Sequence, residues 1–452
     1  VQGETVLHQK SDERTKIRPL ILSHSPYSLR NNGLTETSCI SLALAVSENT
    51  SLRDLDLSKN KLAGEDFYQL LEVLSAPTCR IERLALRNNG LTELSCLPMA
   101  LAVSENTSLR DLDLSKNNLA GKDFYQLLEI FSAPTCRIER LALRNNGLTE
   151  DSCAALTLAV EGNNSLSRYS LTNNNLRDED MRYIHSILTN PQCRIRTLSL
   201  MNNGLTEESC LTLANAINEN KSLRELDLSK NKLAGKNSFL QLLAVLSEPT
   251  CRIECLDLRN NGLTETSCIP LALAVSENTS LRDLDLSKNK LAGEDFYQLL
   301  EVLSAPTCRI ERLALQEAKL TPEYTFLSLT NNPNLVSLNI SSNFFGNAGY
   351  PHIQKLILEH PILREINLRN NGLTEDSCAA LTLAVEGNNS LRDLDLSKNK
   401  LSGKDLNKLL EVLSAPACRI ERLGVQMNDF SEETERNLQQ LKAHRPELDI
   451  IL

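Results

Sequence analysis

No tryptophan occurs in this chain, and aromatic residues make up only 4% of it. Its core is therefore expected to be aliphatic, since 41% of the residues are apolar and few of them carry rings. No apolar run reaches the ~18 residues that suggest a membrane-spanning helix. The opening residues, VQGETVLHQKSDERTKIRP, lack the apolar centre of a secretion signal. No initiator Met precedes them, which makes a trimmed or partial chain the expectation. Basic stretches are missing as well, and the formal net charge is −10, so neither nucleic acid nor a membrane surface is expected as a ligand.

Chemistry is equally sparse. The six His (His8, His24, His185, His352, His360 and His444) follow no metal-ligand spacing. The segment LAGKDF lacks the upstream Gly of a phosphate loop, and no Gly-x-Ser-x-Gly occurs. The sequence therefore predicts no metal, no cofactor and no catalytic residue. The chain reads as a binding protein rather than an enzyme.

Cysteine is present thirteen times, in a pattern that argues against disulfides. Cys39, Cys96, Cys153, Cys210, Cys268 and Cys378 each end Leu-Thr-Glu-x-Ser-Cys, whereas Cys79, Cys136, Cys193, Cys251, Cys308 and Cys418 each precede Arg-Ile. A residue that recurs once per structural unit is most simply a small buried filler. Together with the missing secretion signal, this predicts a reducing, cytoplasmic compartment. The recurring Asn49-Thr-Ser, Asn106-Thr-Ser and Asn278-Thr-Ser would there never carry glycans.

What fills the chain is repetition. Residues 29–86 and 258–315 differ only at Ser41 against Pro270, and residues 143–166 return intact at 368–391. The pattern L-x-x-L-x-L-x-x-N-x-L fits Leu52, Leu55, Leu57, Asn60 and Leu62, then Ile81, Leu84, Leu86, Asn89 and Leu91. Its Asn recurs at intervals alternating 28 and 29 almost throughout, from Asn32 to Asn428, with Ala318 in one place where an Asn is due; fifteen units result. This is a leucine-rich repeat. Period two in the first part of a unit predicts a short strand with leucines inward. In GEDFYQLLEVLSAP the helical period puts Phe67, Leu70, Leu71 and Leu74 on one face, and Pro77 ends the helix. In TETSCISLALAVSEN the buried candidates are Cys39, Leu42, Leu44 and Val46, with Thr35 as N-cap.

One unit cannot bury its leucines alone, so units must stack. The expected fold class is α/β: a leucine-rich-repeat solenoid, a horseshoe with parallel strands on its concave face and helices on its convex face. Alternating 28- and 29-residue units of this kind resemble the ribonuclease-inhibitor class of leucine-rich repeats. The phrases LRNNGLTE-SC, LRDLDLSKN and APTCRIERL resemble the repeat domains of NACHT-containing NOD-like receptors, over essentially the whole chain. The expected organisation is an irregular segment over 1–26, the solenoid over 27–430, and a closing helix and strand over 431–452. An interval of 25 residues after Ala318 marks an irregular unit.

A protein partner is expected on the concave face. Neighbouring strands there alternate acid and base, as in Asp54, Arg83, Asp111 and Arg140, so most of that surface neutralises itself. One place departs from the rule. Glu225, Asp227, Asp257, Asp283 and Asp285 fall on three successive strands, Cys255 stands where an Arg is due, and Arg259 is the nearby base. These six residues are the candidate contact site, for a basic partner. The resemblance to NOD-like receptors implies ligand sensing or autoinhibition of an ATP-binding NACHT module. Two rival readings are a free-standing inhibitor of a basic enzyme, ribonuclease-inhibitor-like, and a structural subunit of a large assembly. Letter-for-letter identity between distant copies points to recent duplication of repeat pairs, since cores tolerate aliphatic swaps that selection for packing alone would have left in place.

Overall fold

The computed structural model describes residues 27–452 apart from 134–135, 163–164, 236 and 325. The irregular segment expected over 1–26 lies outside the described residues. The chain forms two compact units, Val1–Asp227 and Leu228–Leu452.

In the first unit the strands are β1 (Tyr27–Ser28), β2 (Asp54–Asp56), β3 (Arg83–Ala85), β4 (Asp111–Asp113), β5 (Arg140–Ala142), β6 (Arg168–Ser170), β7 (Thr197–Ser199) and β8 (Glu225–Asp227). Each pairs in parallel with the next, in chain order. Between them run α1 (Ser38–Glu48), α2 (Phe67–Ser75), α3 (Cys96–Glu105), α4 (Phe124–Phe131), α5 (Glu150–Gly162), α6 (Met181–Thr189) and α7 (Glu208–Glu219). Register places Leu55, Leu84, Leu112 and Leu141 side by side on adjacent strands, all buried. A row of leucines is thus the spine of the unit.

The second unit repeats the plan with β9 (Cys255–Asp257), β10 (Asp283–Asp285), β11 (Arg312–Ala314), β12 (Ser337–Asn339), β13 (Glu365–Asn367), β14 (Asp393–Asp395), β15 (Arg422–Gly424) and β16 (Asp449–Ile451). These too are parallel and in chain order. The helices are α8 (Ser238–Ser247), α9 (Cys268–Glu277), α10 (Asp295–Leu303), α11 (Gly346–Glu359), α12 (Glu375–Gly387), α13 (Gly403–Ser414) and α14 (Glu432–His444). Pro270, the one change between the long copies, sits in the first turn of α9, where no intrahelical N–H is lost. In α14 the Ser431 hydroxyl accepts from the Thr434 amide, acids fill the first turn and bases the last, as the helix dipole favours.

Helix faces follow the sequence in α2, where Phe67, Leu70, Leu71 and Leu74 are buried. In α1 the expectation is corrected at one position. Leu44 is 44% exposed, and Ala43 and Ala45 are buried in its stead. Leu42, Leu44 and Val46 alternate as strand residues would, but in a helix of period 3.6 the middle one turns away from the core. In the structure α1 begins at Ser38, three residues after Thr35, with Thr37 at its N-cap position; the Thr35 amide donates to the Ser38 hydroxyl at 3.1 Å, the return bond of a capping box.

The recurring Asn holds the turns. Asn60 Oδ1 accepts from the amides of Asn32 (3.1 Å) and Leu34 (3.0 Å), while Nδ2 donates to the carbonyls of Leu29 (3.0 Å) and Leu57 (2.7 Å). Asn117, Asn289, Asn343 and Asn399 serve two amides in the same way. In the other class of unit the oxygens of Asn89, Asn146 and Asn261 are buried and meet no donor from the chain. Ala318 occupies a position of this second class, so the oxygen it lacks is one that those three units leave idle. A second row of Asn, not foreseen, closes the helix ends. Asn106 Nδ2 donates to the Leu74 carbonyl at 2.5 Å, and its Oδ1 accepts from Ser108 and Leu109. The Asn-x-Ser pattern recurs because this turn needs it.

The irregular unit after Ala318 has a physical account. Twenty-five residues leave too little chain for the usual helix, and a 3₁₀ segment, Phe326–Asn331, replaces it. Aromatic rings repair the packing: Tyr324 lies 4.9 Å from Phe296 and 5.0 Å from Tyr297 between centroids. The Tyr324 hydroxyl also takes the Gly293 amide at 2.6 Å.

All thirteen Cys are free thiols, and only Cys255 and Cys418 are partly exposed. Burial, reinforced by nearby carboxylates, pushes Cys39, Cys96, Cys153, Cys210, Cys268 and Cys378 up to about 12. Such thiols stay protonated and pack as small apolar groups.

Candidate functional site

Strand residues flanking each buried Leu form an open polar face on both units. In the first unit Arg83 grips Asp54 through Nε and Nη2, both at 2.5 Å, and Arg140 reaches Asp111 at 3.5 Å. Burial raises the Asp111 carboxyl, and Arg140 offsets part of that shift. In the second unit Arg312 meets Asp283 at 2.7 Å and Arg422 meets Asp393 at 3.2 Å. The alternation of acid and base read from the sequence is therefore made of real pairs. These are largely exposed, and each is worth little on its own. A parallel set went unread: Arg53–Glu82, Arg110–Glu139, Arg282–Glu311 and Arg392–Glu421, at 3.4–3.7 Å, join the residues just before the strands. The recurring LRDL and IERL segments held that signal.

The six predicted contact residues divide between the units. Glu225 and Asp227 lie on β8 of the first. Thr197 donates to Glu225 at 3.0 Å and Ser199 donates to Asp227 at 2.7 Å. Asp257, Arg259, Asp283 and Asp285 belong to the second. Register sets Asp257 directly beside Asp285 and Cys255 beside Asp283. Arg259 contacts Asp257 at 2.8 Å and Asp285 at 3.9 Å, so one guanidinium bridges two adjacent carboxylates. In the sequence the five acids have Arg259 as their nearby base. The second-unit half is in fact better balanced, because Arg312 from the following strand takes up Asp283.

A feature of the first unit escaped the sequence altogether. Arg144 Nε donates to the Ser170 hydroxyl at 3.0 Å, Ser170 contacts Thr172 at 3.1 Å, Thr172 contacts Ser199 at 2.7 Å, and Ser199 donates to Asp227. A chain of hydroxyls, each under a tenth exposed, thus links a base to an acid across four successive repeats. The Ser and Thr that break the acid–base alternation were its only trace.

Among the described residues no group of three or more His, Cys, Asp or Glu is placed to hold a metal ion. No helix among them is long and apolar enough to cross a membrane. What the strand faces offer is a broad, hydrogen-bonding, charge-patterned surface.

Comparison with known proteins bears on what uses such a surface. The family model described as Leucine Rich repeat matches residues 48–66, 105–123, 219–236, 277–295 and 387–410. Ribonuclease inhibitor from Mus musculus is 33% identical over 448 residues, covering 98% of this chain and 98% of that protein. The ribonuclease inhibitor of Sus scrofa matches at the same identity and coverage. NACHT, LRR and PYD domains-containing protein 14 from Homo sapiens is 29% identical over 91% of this chain, which spans 33% of that protein's length.

Proposed function

Because the chain belongs to the leucine-rich-repeat family of the ribonuclease inhibitors, a family of protein-binding modules, we propose that it recognises a protein partner through its strand faces, as the ligand-sensing or autoinhibitory repeat region of a NACHT-containing receptor. The supporting observation is that relatives with NACHT and LRR domains align over 91% and 97% of this chain while it spans about a third of their length. The polar strand faces, paired as Arg83–Asp54 and Arg312–Asp283 are, suit a reversible contact. The partner is a basic protein. The candidate contacts in the first unit are Glu225 and Asp227; those in the second are Asp257 and Asp285, which Arg259 bridges, and Asp283, which Arg312 takes up. The proposed compartment is the cytoplasm, where the free thiols remain reduced. To test the receptor reading, the chain is added in trans to the NACHT module of a related receptor whose repeats have been removed. Lowered ATP hydrolysis is expected, and hydrolysis unchanged by an excess of the chain counts against it.

A second reading is favoured by one observation, the alignment with ribonuclease inhibitor over 98% of both chains. It makes the chain an inhibitor of a basic ribonuclease. Titrating such an enzyme with the chain separates the two: RNA hydrolysis that stops at one equivalent supports inhibition, and hydrolysis untouched by excess removes it.

A further inference from the structure

In the second unit the helix ends at Asn278, Asn332 and Asn388 close on an amide side chain. Asn278 Oδ1, for instance, accepts from the backbone amides of Ser280 (2.8 Å) and Leu281 (2.6 Å). At the end of α11 a histidine holds this place. His360 is 1% exposed, and its Nδ1 accepts from Leu363 at 3.1 Å and Ile362 at 3.4 Å. Backbone amides only donate, so this arrangement requires Nδ1 to be unprotonated and the ring neutral, with its proton on Nε2. Nε2 is buried and closes no hydrogen bond, and the backbone of Asn332 and Leu329 in the irregular repeat lies near the ring. An Asn does this work at any pH. A histidine does it only while neutral.

We infer that His360 is a pH-sensitive joint: proton uptake sets a new N–H against two N–H groups and opens the turn that leads from α11 into β13. Burial lowers its affinity for protons below that of a free imidazole, and the nearby carbonyls offset only part of this. The unfolded or opened ring therefore binds a proton more readily than the closed one. Stability from the joint is complete above the free value of about 6.5 and is lost as pH falls through the lower closed-state value. Among the described residues, the segments packed around it give the ring no carboxylate partner. The 3₁₀ segment FLSLTN has no ionisable side chain, and the Cys308 thiol behind Asn332 is held protonated. On α11 itself Glu359 is paired with Lys355 at 3.7 Å. Arg364 directly precedes β13, Glu386 at the end of α12 is exposed, and Arg392 pairs with Glu421 at 3.5 Å.

The test is backbone amide exchange at Ile362 and Leu363, corrected for the intrinsic pH dependence of exchange, in the native chain and in His360→Asn. Between pH 7.5 and 5.5 the opening of this turn is expected to rise by up to about tenfold in the native chain and to stay level in the variant. An equal rise in both overturns the inference. So does a native His360 imidazole that titrates, by NMR, at or above the free value; this second measurement decides the matter even if the variant fails to fold.

Discussion

The side-chain oxygen of Asn117 accepts the backbone amide of Asn89 at 3.0 Å, yet the oxygen of Asn146, one repeat further on, meets no donor from the chain. Asn146 shares this idle oxygen with Asn89 and Asn261, whereas Asn203, Asn371 and Asn428 of the same class each accept one amide. Asn117 also accepts from Leu91 at 3.1 Å and donates to Leu86 and Leu114. Asn146 contributes its donor end, to the Leu114 carbonyl at 3.1 Å.

That inequality has a measurable consequence. Replacing Asn117 by Ala leaves two turn amides without an acceptor and is expected to cost about 1–3 kcal/mol. The same change at Asn146 should cost less, since the chain already places Ala at 318 in that class of unit. Urea denaturation of the two variants checks this, and equal midpoints would show that the two Asn carry the same load.

Much of this architecture was legible in the letters. The buried row Leu55–Leu84–Leu112, the helix face of Phe67 and Leu70, and the pairing of Arg83 with Asp54 all follow from periods of two and 3.6 and from alternating charge. Leu44 was misplaced because a strand's alternation was read into a helix. The hydroxyl chain from Arg144 to Asp227 was hidden for a different reason. Its members are spaced by whole repeats, and Ser and Thr give no sign in sequence of the partner they will meet. The role of His360 was hidden likewise, because a lone His shows its purpose only beside the Asn residues it replaces.

The thiols set an alkaline limit on stability. Six Cys held near 12 keep their protons in the folded chain, whereas an unfolded thiol loses its proton at about 8.5. The folded state then binds more protons than the unfolded one, so stability is complete below about 8.5 and falls as pH rises toward 12. Thermal midpoints should decline progressively over that window and decline less in Cys153→Ala. At neutral pH a thiol reagent should label Cys255 and Cys418 before any other; prompt labelling of all thirteen would contradict the burial described above.

Close approach between neighbouring units makes one glycine hard to replace. A Cβ built at Gly121 would stand 2.8 Å from the Glu93 Cβ of the preceding repeat, nearer than side chains tolerate, with the carboxylate of Glu93 closer still. Gly121→Ala should therefore destabilise by roughly 1–3 kcal/mol. Gly204→Ala meets no neighbouring atom within 4 Å, and there only the backbone cost of φ 75° is expected. Denaturation midpoints of the two variants separate crowding from backbone strain; equal losses would leave the inter-repeat contact without effect.

The strand-face acids can be tested half by half. Reversing Asp227 to Lys alters the first unit, and reversing Asp285 to Lys alters the second without removing the closest contact of Arg259, which is Asp257 at 2.8 Å. A basic ribonuclease serves as the probe. Partly exposed charges steer a partner mainly during approach and are screened over ~8–10 Å at physiological salt. Each reversal is thus expected to slow association more than it hastens release, and the difference from the native chain should shrink as salt is raised. Asp56 and Asp113 supply the control, because the neighbouring Arg83 and Arg140 already pair with Asp54 and Asp111. Reversal there should slow association less. Equal slowing at every site would reduce the effect to net charge. If none of the four reversals alters binding, the partner does not use the strand faces, and the exposed helix surfaces, where Leu101 and Leu273 stand 55% and 62% open, become the place to look.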